Sequence, residues 1–414
     1  MLYEQWQHIA KERRNERALV DLASGQRWTF GELFAAGEAQ TAVKEKIAYP
    51  QGQTPEFILS LLAAWRSESV VCPLETGQAV PELLLPATGW VHLKCTSATT
   101  GAPRLIAFTA EQLAADATQI VSAMGLRPDR PNLGVISLAH SYGFSNLVLP
   151  LLLHGIPLIL VPAPLPEVIR RAVTDQPAVA LAAVPALWRA WHEAGGVPRQ
   201  VRLAISAGAP LPLNLERAVF ETSGIKIHNF YGASECGGIA YDATAVPRAD
   251  ATLAGTPFPG VKVSLGDDSC LQVNGPAVGS TYFPEESDAL GNGRFQTSDL
   301  AELKDGSVYL RGRLSDLINV AGRKVSPETI ERALLAHPLV RDCVVFGTPS
   351  EDEHRTDLIV AVVVSSASET DLKQHLLVSL PAWQLPRCWQ FVESLSIGPR
   401  GKISRAEWRR QFKV

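Results

Sequence analysis

Thr96-Ser97-Ala98-Thr99-Thr100-Gly101-Ala102-Pro103-Arg104 places four hydroxyls, a glycine, a proline and a cation within nine residues. The residues just before it, Trp90-Val91-His92-Leu93, read as a short strand, and an amphipathic run begins near Thr109. A hydroxyl- and glycine-rich loop leaving a strand is a phosphate cradle. Backbone N–H and side-chain O–H groups converge there on an anion, and Arg104 adds positive charge. The Walker spacing of Gly, four residues, then Gly-Lys-Ser/Thr is absent. Taken alone, the stretch reads equally well as a solvated Ser/Thr turn. The rest of the chain has to decide.

The chain has 414 residues, 46% of them hydrophobic, and a formal net charge of -4. That length predicts two or three domains with ample buried cores. Interspersed charges of both signs give no electrostatic case for nucleic acid or an anionic membrane. Cysteines 72, 95, 236, 270, 343 and 388 are scattered, with no Cys-x-x-Cys and no zinc-type spacing. They read as reduced thiols in a cytoplasmic protein. Residues 1–16 mix Lys, Arg and Glu without an apolar core, so no signal peptide is expected. No acidic or basic residue occurs between Arg130 and Glu167, but Pro150, His154, Gly155 and Pro157 interrupt the apolar part. A buried strand–helix–strand passage is expected there, not a membrane span.

Outward from the loop, strand-sized apolar runs alternate with helix-sized segments. Arg27-Trp28-Thr29-Phe30 turns into a helix with Thr29 as N-cap, residues 57–65 form an apolar helix, and residues 70–74 form a buried strand. Residues 133–138, 158–161, 178–183 and 201–206 continue the alternation, which argues for α/β layers with parallel strands. After Ala251, short runs at 261–265, 270–273, 301–303 and 308–310 predict a small antiparallel sheet or barrel. A third, α+β piece of about 100 residues follows Arg313. In it Ser326 caps a helix with Pro327 at its first position, and residues 339–346 and 358–364 are strands. Ser368 and Asp371 form a capping box opening a helix to about Leu380.

Further motifs follow in order. They are His140-Ser141-Tyr142-Gly143, Ser206-Ala207-Gly208-Ala209-Pro210-Leu211, Asn229-Phe230-Tyr231-Gly232-Ala233-Ser234-Glu235 and Thr297-Ser298-Asp299. Gly312-Arg313-Leu314-Ser315-Asp316 begins a longer run to Pro327, and Gly401-Lys402-Ile403-Ser404-Arg405 closes the series. In this order they resemble the adenylate-forming (AMP-binding) superfamily of acyl- and aryl-CoA synthetases, peptide-synthetase adenylation domains and luciferases. The resemblance runs from Trp28 to Arg405. It implies a large multi-subdomain α/β N-terminal domain with layered sheets over residues 1–313, and a small mobile α+β C-terminal domain over 314–414.

The resemblance also implies roles. Thr96, Ser97, Thr99, Thr100, Gly101 and Arg104 would hold phosphate, with Ala98 in place of the family's glycine and Arg104 in place of its lysine. Gly208, Ala209 and Pro210 would lie against adenine. Tyr231 and Gly232 would present a ring and a close backbone to the base, and Ser234 a hydroxyl to the α-phosphate. Glu235 would be the Mg²⁺ ligand, a hard oxygen on a hard cation. Asp299 would accept from the ribose hydroxyls and Arg313 would hold the ribose. Either Ser315 or Asp316 would be the hinge pivot. Lys402 would be the catalytic lysine, and His140 would line the acyl pocket. Amino-acid-activating relatives carry an aspartate in the region that is charge-free here, so an α-amino acid substrate is disfavoured.

The implied reaction joins ATP, with Mg²⁺, to a small carboxylic acid, giving an acyl-adenylate and then a thioester with CoA or phosphopantetheine. The chain reaches the phosphate loop early, so a shortened N-terminal domain is expected, and any acyl carrier protein would be a separate chain. Two other readings remain: a non-catalytic nucleotide- or acyl-adenylate-binding pseudoenzyme, supported by Ala98, Arg104, Ser298 and Ser315, and an adenylate-forming enzyme with a non-thiol acceptor.

Overall fold

The computed structural model describes residues 1–86, 89–95, 104–349, 357–395 and 404–412. The apolar runs of the first half become a parallel sheet. Strands Arg17–Asp21, Leu158–Leu160, Asn132–Gly134, Val179–Ala183, Val201–Ser206 and Ile227–Ala233 lie side by side in that order. Val179–Ala183 is buried at every position and Val201–Ser206 at all but one. That is why these segments read as continuous apolar runs without alternation.

The charge-free stretch is the expected buried passage. Strand Asn132–Gly134 leads to a short helix, Ser141–Gly143, then a π-helical turn, Phe144–Val148, and helix Leu149–His154. Gly155 closes that helix in the left-handed region at φ 65, and strand Leu158–Leu160 follows. Leu147, Leu149, Leu151 and Leu152 are fully buried, and each such leucine contributes roughly 1.5–3 kcal/mol. Among the described residues no helix is long and apolar enough to cross a membrane.

Between Ala251 and Arg313 the strands are antiparallel, as expected, but they do not make a separate barrel. Gly237–Tyr241 returns antiparallel beside Ile227–Ala233, and Leu253–Pro257 pairs with it through Ala240–Pro257 and Tyr241–Thr256. Strands Ser307–Arg313, Arg294–Lys304, Cys270–Asn274 and Lys262–Leu265 then extend the same sheet. The tight return at residues 234–236 converts a parallel edge into an antiparallel one, so the ladder has no reason to stop.

A second sheet runs in the order Thr281–Phe283, Leu105–Phe108, His92–Cys95, Val70–Val71, Ile47–Ala48. The strand expected before the hydroxyl-rich stretch is His92–Cys95, and a further strand not expected from the sequence, Leu105–Phe108, pairs with it antiparallel as Cys95–Leu105 and His92–Phe108. Leu105, Ile106, Ala107 and Phe108 are all buried, so this short apolar run satisfies its backbone in a ladder first. Thr109 then opens helix Ala110–Met124 with a capping box to Gln112. Thr29 does the same with Glu32 for helix Phe30–Glu38.

From Ile318 onward a second core forms around Ile318, Ile330, Leu334, Val345, Ile359, Val363 and Leu372. Strands Val340–Pro349, Asp357–Ser365 and Cys388–Phe391 make its sheet. Ser368 and Asp371 form the expected capping box, though helix Glu369–Leu377 stops short of Leu380. Ser326 does occupy the N-cap of helix Pro327–Leu335, but it makes no side-chain cap. Its hydroxyl donates to Glu328 Oε2 at 2.6 Å instead. Arg341 Nη2 meets Glu193 Oε2 at 2.8 Å and Asn214 Nδ2 donates to the Leu335 carbonyl at 3.3 Å, joining the two bodies. No disulfide forms among the six cysteines, all of which lie in described residues.

Candidate functional site

Strand Ile227–Ala233 carries Tyr231, Gly232 and Ala233 to the carboxyl edge of the parallel sheet, and Ser234 and Glu235 follow in the return. Glu235 is half-buried. Its Oε1 accepts from the Tyr282 hydroxyl at 3.1 Å, and its backbone carbonyl accepts from Gly279 N–H at 2.8 Å. Burial pushes the Glu235 carboxyl above the ordinary glutamate range, while the Tyr282 hydrogen bond and the Arg313 charge pull the other way. A buried carboxylate of this kind gains most when a cation arrives to share its charge.

Tyr282 lies on strand Thr281–Phe283, the partner of Leu105–Phe108. Arg104, at the end of the hydroxyl-rich stretch, places its guanidinium 5.5 Å from the Tyr282 ring centroid, within cation–π range. Arg104, Tyr282 and Glu235 therefore form one line of contact. Ser234 Oγ lies 2.8 Å from Ser141 Oγ, which brings the His140 segment to the same place. His140 is the N-cap of helix Ser141–Gly143, and its Nδ1 accepts from Tyr142 N–H at 3.4 Å. A Cβ on Gly143 would lie 1.9 Å from the Ser137 carbonyl oxygen, so only glycine lets that segment fold so tightly.

Asp299 is the centre of a second group. It faces Arg313 across the antiparallel pair Arg294–Lys304 and Ser307–Arg313. Arg313 Nε donates to Oδ1 at 2.9 Å and the Tyr231 hydroxyl donates to Oδ2 at 2.6 Å. Thr297 Oγ1 accepts from Asp299 N–H at 3.0 Å, fixing the strand locally. The Asp299 charge raises the Arg313 guanidinium further above its ordinary range. Burial, then the Asp299 charge, pushes the Tyr231 phenol well up, so it stays a donor. A carboxylate has about four lone-pair directions, which leaves Asp299 capacity for two more donors beside these.

Of the other sequence-named residues, Gly208, Ala209 and Pro210 leave strand Val201–Ser206 at the same edge, with Gly208 at φ 85. The buried Arg248 guanidinium holds this segment by donating from Nη2 to the Leu211 carbonyl at 2.7 Å. Ser315 is exposed and donates to Asp316 Oδ1 at 3.2 Å. Asp316 Oδ2 in turn accepts from Arg405 Nη1 at 2.8 Å. Thr96, Ser97, Thr99, Thr100, Gly101 and Lys402 lie outside the described residues.

Tyr282 is the site residue that sequence reasoning does not reach. It stands 47 residues from Glu235, in no recognisable motif, and only the pairing of Thr281–Phe283 with Leu105–Phe108 reveals it. Among the described residues no group of three or more His, Cys, Asp and Glu side chains is placed to hold a metal. A single hard carboxylate such as Glu235 suits a cation that brings most of its ligands on phosphate and water, as Mg²⁺ does. A cavity of about 670 Å³ lined by Arg170, His192, Arg199 and Gln200 lies at the amino end of strand Val201–Ser206, away from this cluster.

Comparison with known proteins gives the family and the fold. Residues 93–282 match the model of the AMP-binding enzyme family and residues 329–402 that of the AMP-binding enzyme C-terminal domain. A fatty acid–[acyl-carrier-protein] ligase of Streptomyces coeruleorubidus is 30% identical over 55% of this chain and 49% of its own length. The mitochondrial malonate–CoA ligase of Homo sapiens is 27% identical over 80% of this chain and 68% of its own. A long-chain-fatty-acid–CoA ligase of Mycobacterium tuberculosis is 27% identical over 77% and 66% respectively. The chain thus spans about half to two thirds of the length of these relatives. Among solved structures, ATP-bound MatB from Rhodopseudomonas palustris superposes with a TM-score of 0.85 at 20% identity, covering 99% of both chains. The o-succinylbenzoate CoA synthetase of Bacillus subtilis with its acyl-adenylate intermediate gives 0.82 at 21% identity, covering 98% of this chain and 97% of that one. At such identities the likeness establishes the fold.

Proposed function

Because the chain belongs to the AMP-binding, adenylate-forming enzymes, we propose that it is an ATP-dependent acid–thiol ligase. The observation that carries this reading is the meeting of Tyr231, Asp299 and Arg313, at 2.6 and 2.9 Å, beside Glu235. These residues are far apart in sequence, and together they suit a ribose and a charged phosphate chain.

In the first step a carboxylate oxygen of the acid attacks the α-phosphorus of ATP. A new O–P bond forms, the bond to the β-phosphate bridge breaks, and pyrophosphate leaves. Asp299 and Arg313 orient the ribose, Tyr231 and the 208–210 segment flank the base, and Ser234 donates to the α-phosphate. Arg104, with Thr96, Ser97, Thr99, Thr100 and Gly101, holds the phosphates, and Lys402 offsets charge at the forming bond. A magnesium ion, held by Glu235 and the phosphates, would neutralise charge on the triphosphate. In the second step a thiol sulfur attacks the acyl carbon, its proton passes to solvent, and the C–O bond to AMP breaks. No covalent enzyme intermediate is required. The acid is an aryl or acyl carboxylate, with His140 lining its pocket, and the thiol belongs to CoA or to the phosphopantetheine of a separate carrier protein. The family's acyl- and acyl-carrier-protein ligases support both acceptors. We place the protein in the cytoplasm, where thiols stay reduced.

Residues 1–313 and 314–414 are proposed as the two moving bodies. Arg405 holds Asp316 at 2.8 Å while also pairing with Glu328 and Glu331 of the small domain. That makes Asp316 part of the small domain and favours Ser315 as the pivot. ATP–pyrophosphate exchange with a panel of aliphatic, dicarboxylic and aryl acids tests the reading. Exchange with one class supports it. ATP binding without exchange for any acid would favour the pseudoenzyme that Ala98 and Arg104 suggest.

A further inference from the structure

Beneath the return that carries Glu235 lies a buried ionic group with no place in the chemistry described so far. The Lys94 and Asp116 side chains are 3% and 2% exposed, and Nζ stands 3.5 Å from Oδ2. Ser145 Oγ donates to Asp116 Oδ2 at 2.5 Å, and Lys94 Nζ donates to Ser145 Oγ at 3.3 Å. The Lys94 ammonium also sits 4.5 Å from the Phe108 ring centroid. The other carboxylate oxygen, Asp116 Oδ1, accepts from Gly238 N–H at 3.3 Å. A Cβ on Gly237, whose φ is 67, would come within 2.0 Å of that same oxygen. The backbone of residues 237–238 therefore rests directly on the carboxylate.

Each partner belongs to a different site-bearing segment. Lys94 is on strand His92–Cys95, which runs into the hydroxyl-rich stretch. Ser145 is in the π-helical turn Phe144–Val148 that continues the His140 segment. Gly237 and Gly238 follow Glu235 by two and three residues. Asp116, on helix Ala110–Met124, touches all three. Buried ion pairs stabilise no better than well-packed apolar residues of the same volume, and where they are kept they often fix a unique arrangement. Three loops that must converge on one nucleotide need such a fixed reference.

We propose that Asp116 is a positioning residue for Glu235, gripping residues 237–238 from below while Lys94 and Ser145 anchor it, so that the Glu235 carboxylate is aimed at the magnesium of bound MgATP. This rests on the ligase reading above. Its signature is the gain in ATP affinity that magnesium confers, which a purely structural role would not move.

The test uses the full-length protein, with ATP binding followed by calorimetry in the presence and absence of Mg²⁺. In Lys94→Met/Asp116→Leu both charges go together, so no buried charge is stranded and melting should stay close to wild type. The contact to Gly238 is lost, and the magnesium-dependent gain should fall by about 10- to 100-fold, the usual effect of losing a metal site's supporting hydrogen bond. Magnesium-free ATP binding should hold. In Lys94→Met/Asp116→Asn the amide oxygen still accepts from Gly238 and its NH₂ donates to Ser145, so most of the gain should return. If Lys94→Met/Asp116→Leu keeps the full gain, the proposal is overturned. If that double variant does not fold, Ser145→Ala, which retains both charges but removes one anchor, decides. An unchanged gain there overturns the proposal, and a reduced gain supports it. A wild-type protein with no magnesium-dependent gain overturns the ligase reading as well, which separates the two failures.

Discussion

As the proposed magnesium ligand, Glu235 would trade stability for function. Its burial raises the carboxyl above the ordinary range. A carboxyl raised in the folded state contributes stability below its unfolded pKa and loses that contribution as pH rises through the folded value. At neutral pH the charged form is therefore a cost in the free protein, offset when a cation binds. Glu235→Gln keeps the shape and removes the charge. Adenylate formation should slow by roughly 3–4 kcal/mol in barrier, as when one preorganised electrostatic contact is lost, and its magnesium dependence should flatten. Melting at pH 7 should be equal to wild type or higher. In the wild type, magnesium affinity should weaken with acid at a higher pH than an ordinary glutamate gives, and this limb should vanish in the variant. Unchanged magnesium titration in Glu235→Gln would remove the assignment. Asp299 acts differently, because both oxygens already hold donors from Tyr231 and Arg313. Asp299→Ala should raise KM for ATP far more than KM for the acid. Tyr231→Phe, which keeps the ring and loses one hydrogen bond to a charged carboxylate, should cost about 1.5–3 kcal/mol. Equal use of ATP and 2′,3′-dideoxy-ATP by the wild type would place the ribose elsewhere.

At the scale of elements, local chemistry made some boundaries readable and long-range pairing hid others. Ser368 announces its helix by a capping box and Thr29 by its place as N-cap, while Thr109 marks only the start of an amphipathic run; in the structure all three close capping boxes with a residue three positions on. Ser326 has Thr329 at the N3 position where the other three have an acid or amide, so no capping box can close there, and its hydroxyl donates to Glu328 without accepting from the backbone. The contrast is testable. Thr109→Ala should lower stability by about 1 kcal/mol, read as a drop in melting temperature, whereas Ser326→Ala should leave the start of helix Pro327–Leu335 intact by amide exchange. Parallel strands were legible as apolar runs. The strand Leu105–Phe108 was not, because four residues before a cap look like the cap's approach until a partner appears. Of the candidate site, Tyr231, Asp299 and Arg313 were legible as motifs and do meet. Tyr282 and the Lys94–Asp116–Ser145 group were not, since each depends on pairings between segments that no local pattern encodes.

For the whole molecule the question is how two bodies would serve the two proposed steps. The large core ends with Val308 and its neighbour Leu310, and the small one begins at Ile318. Between them Leu314–Asp316 forms a single 3-10 turn with no buried residue. Arg405 closes this turn from the small-domain side. Burial alone would lower its guanidinium, but the charges of Glu331, Glu328 and Asp316 outweigh that and raise it. A cation so held ties Asp316 to the small domain, and in the proposed rotation the pivot would be the exposed Ser315. Opposing this, Arg341 and Glu193 are surface groups whose pair contributes only about 0–1 kcal/mol, which a domain rotation can readily break. Ser315→Pro would lock φ near -65° and restrict Leu314 as well. The variant should form acyl-adenylate from ATP and acid at a rate within about tenfold of wild type, a barrier change near 1.4 kcal/mol. Thioester formation from supplied acyl-adenylate should fall much further, because that step needs the second pose. Lys402→Ala should show the reverse split, losing adenylate formation and keeping transfer from supplied adenylate. Single-turnover rates for the two half-reactions measure both variants on one scale. If Ser315→Pro loses both halves equally while its melting curve stays normal, the pivot is not at Ser315. If Lys402→Ala keeps adenylate formation, the charge at the forming O–P bond comes from another residue.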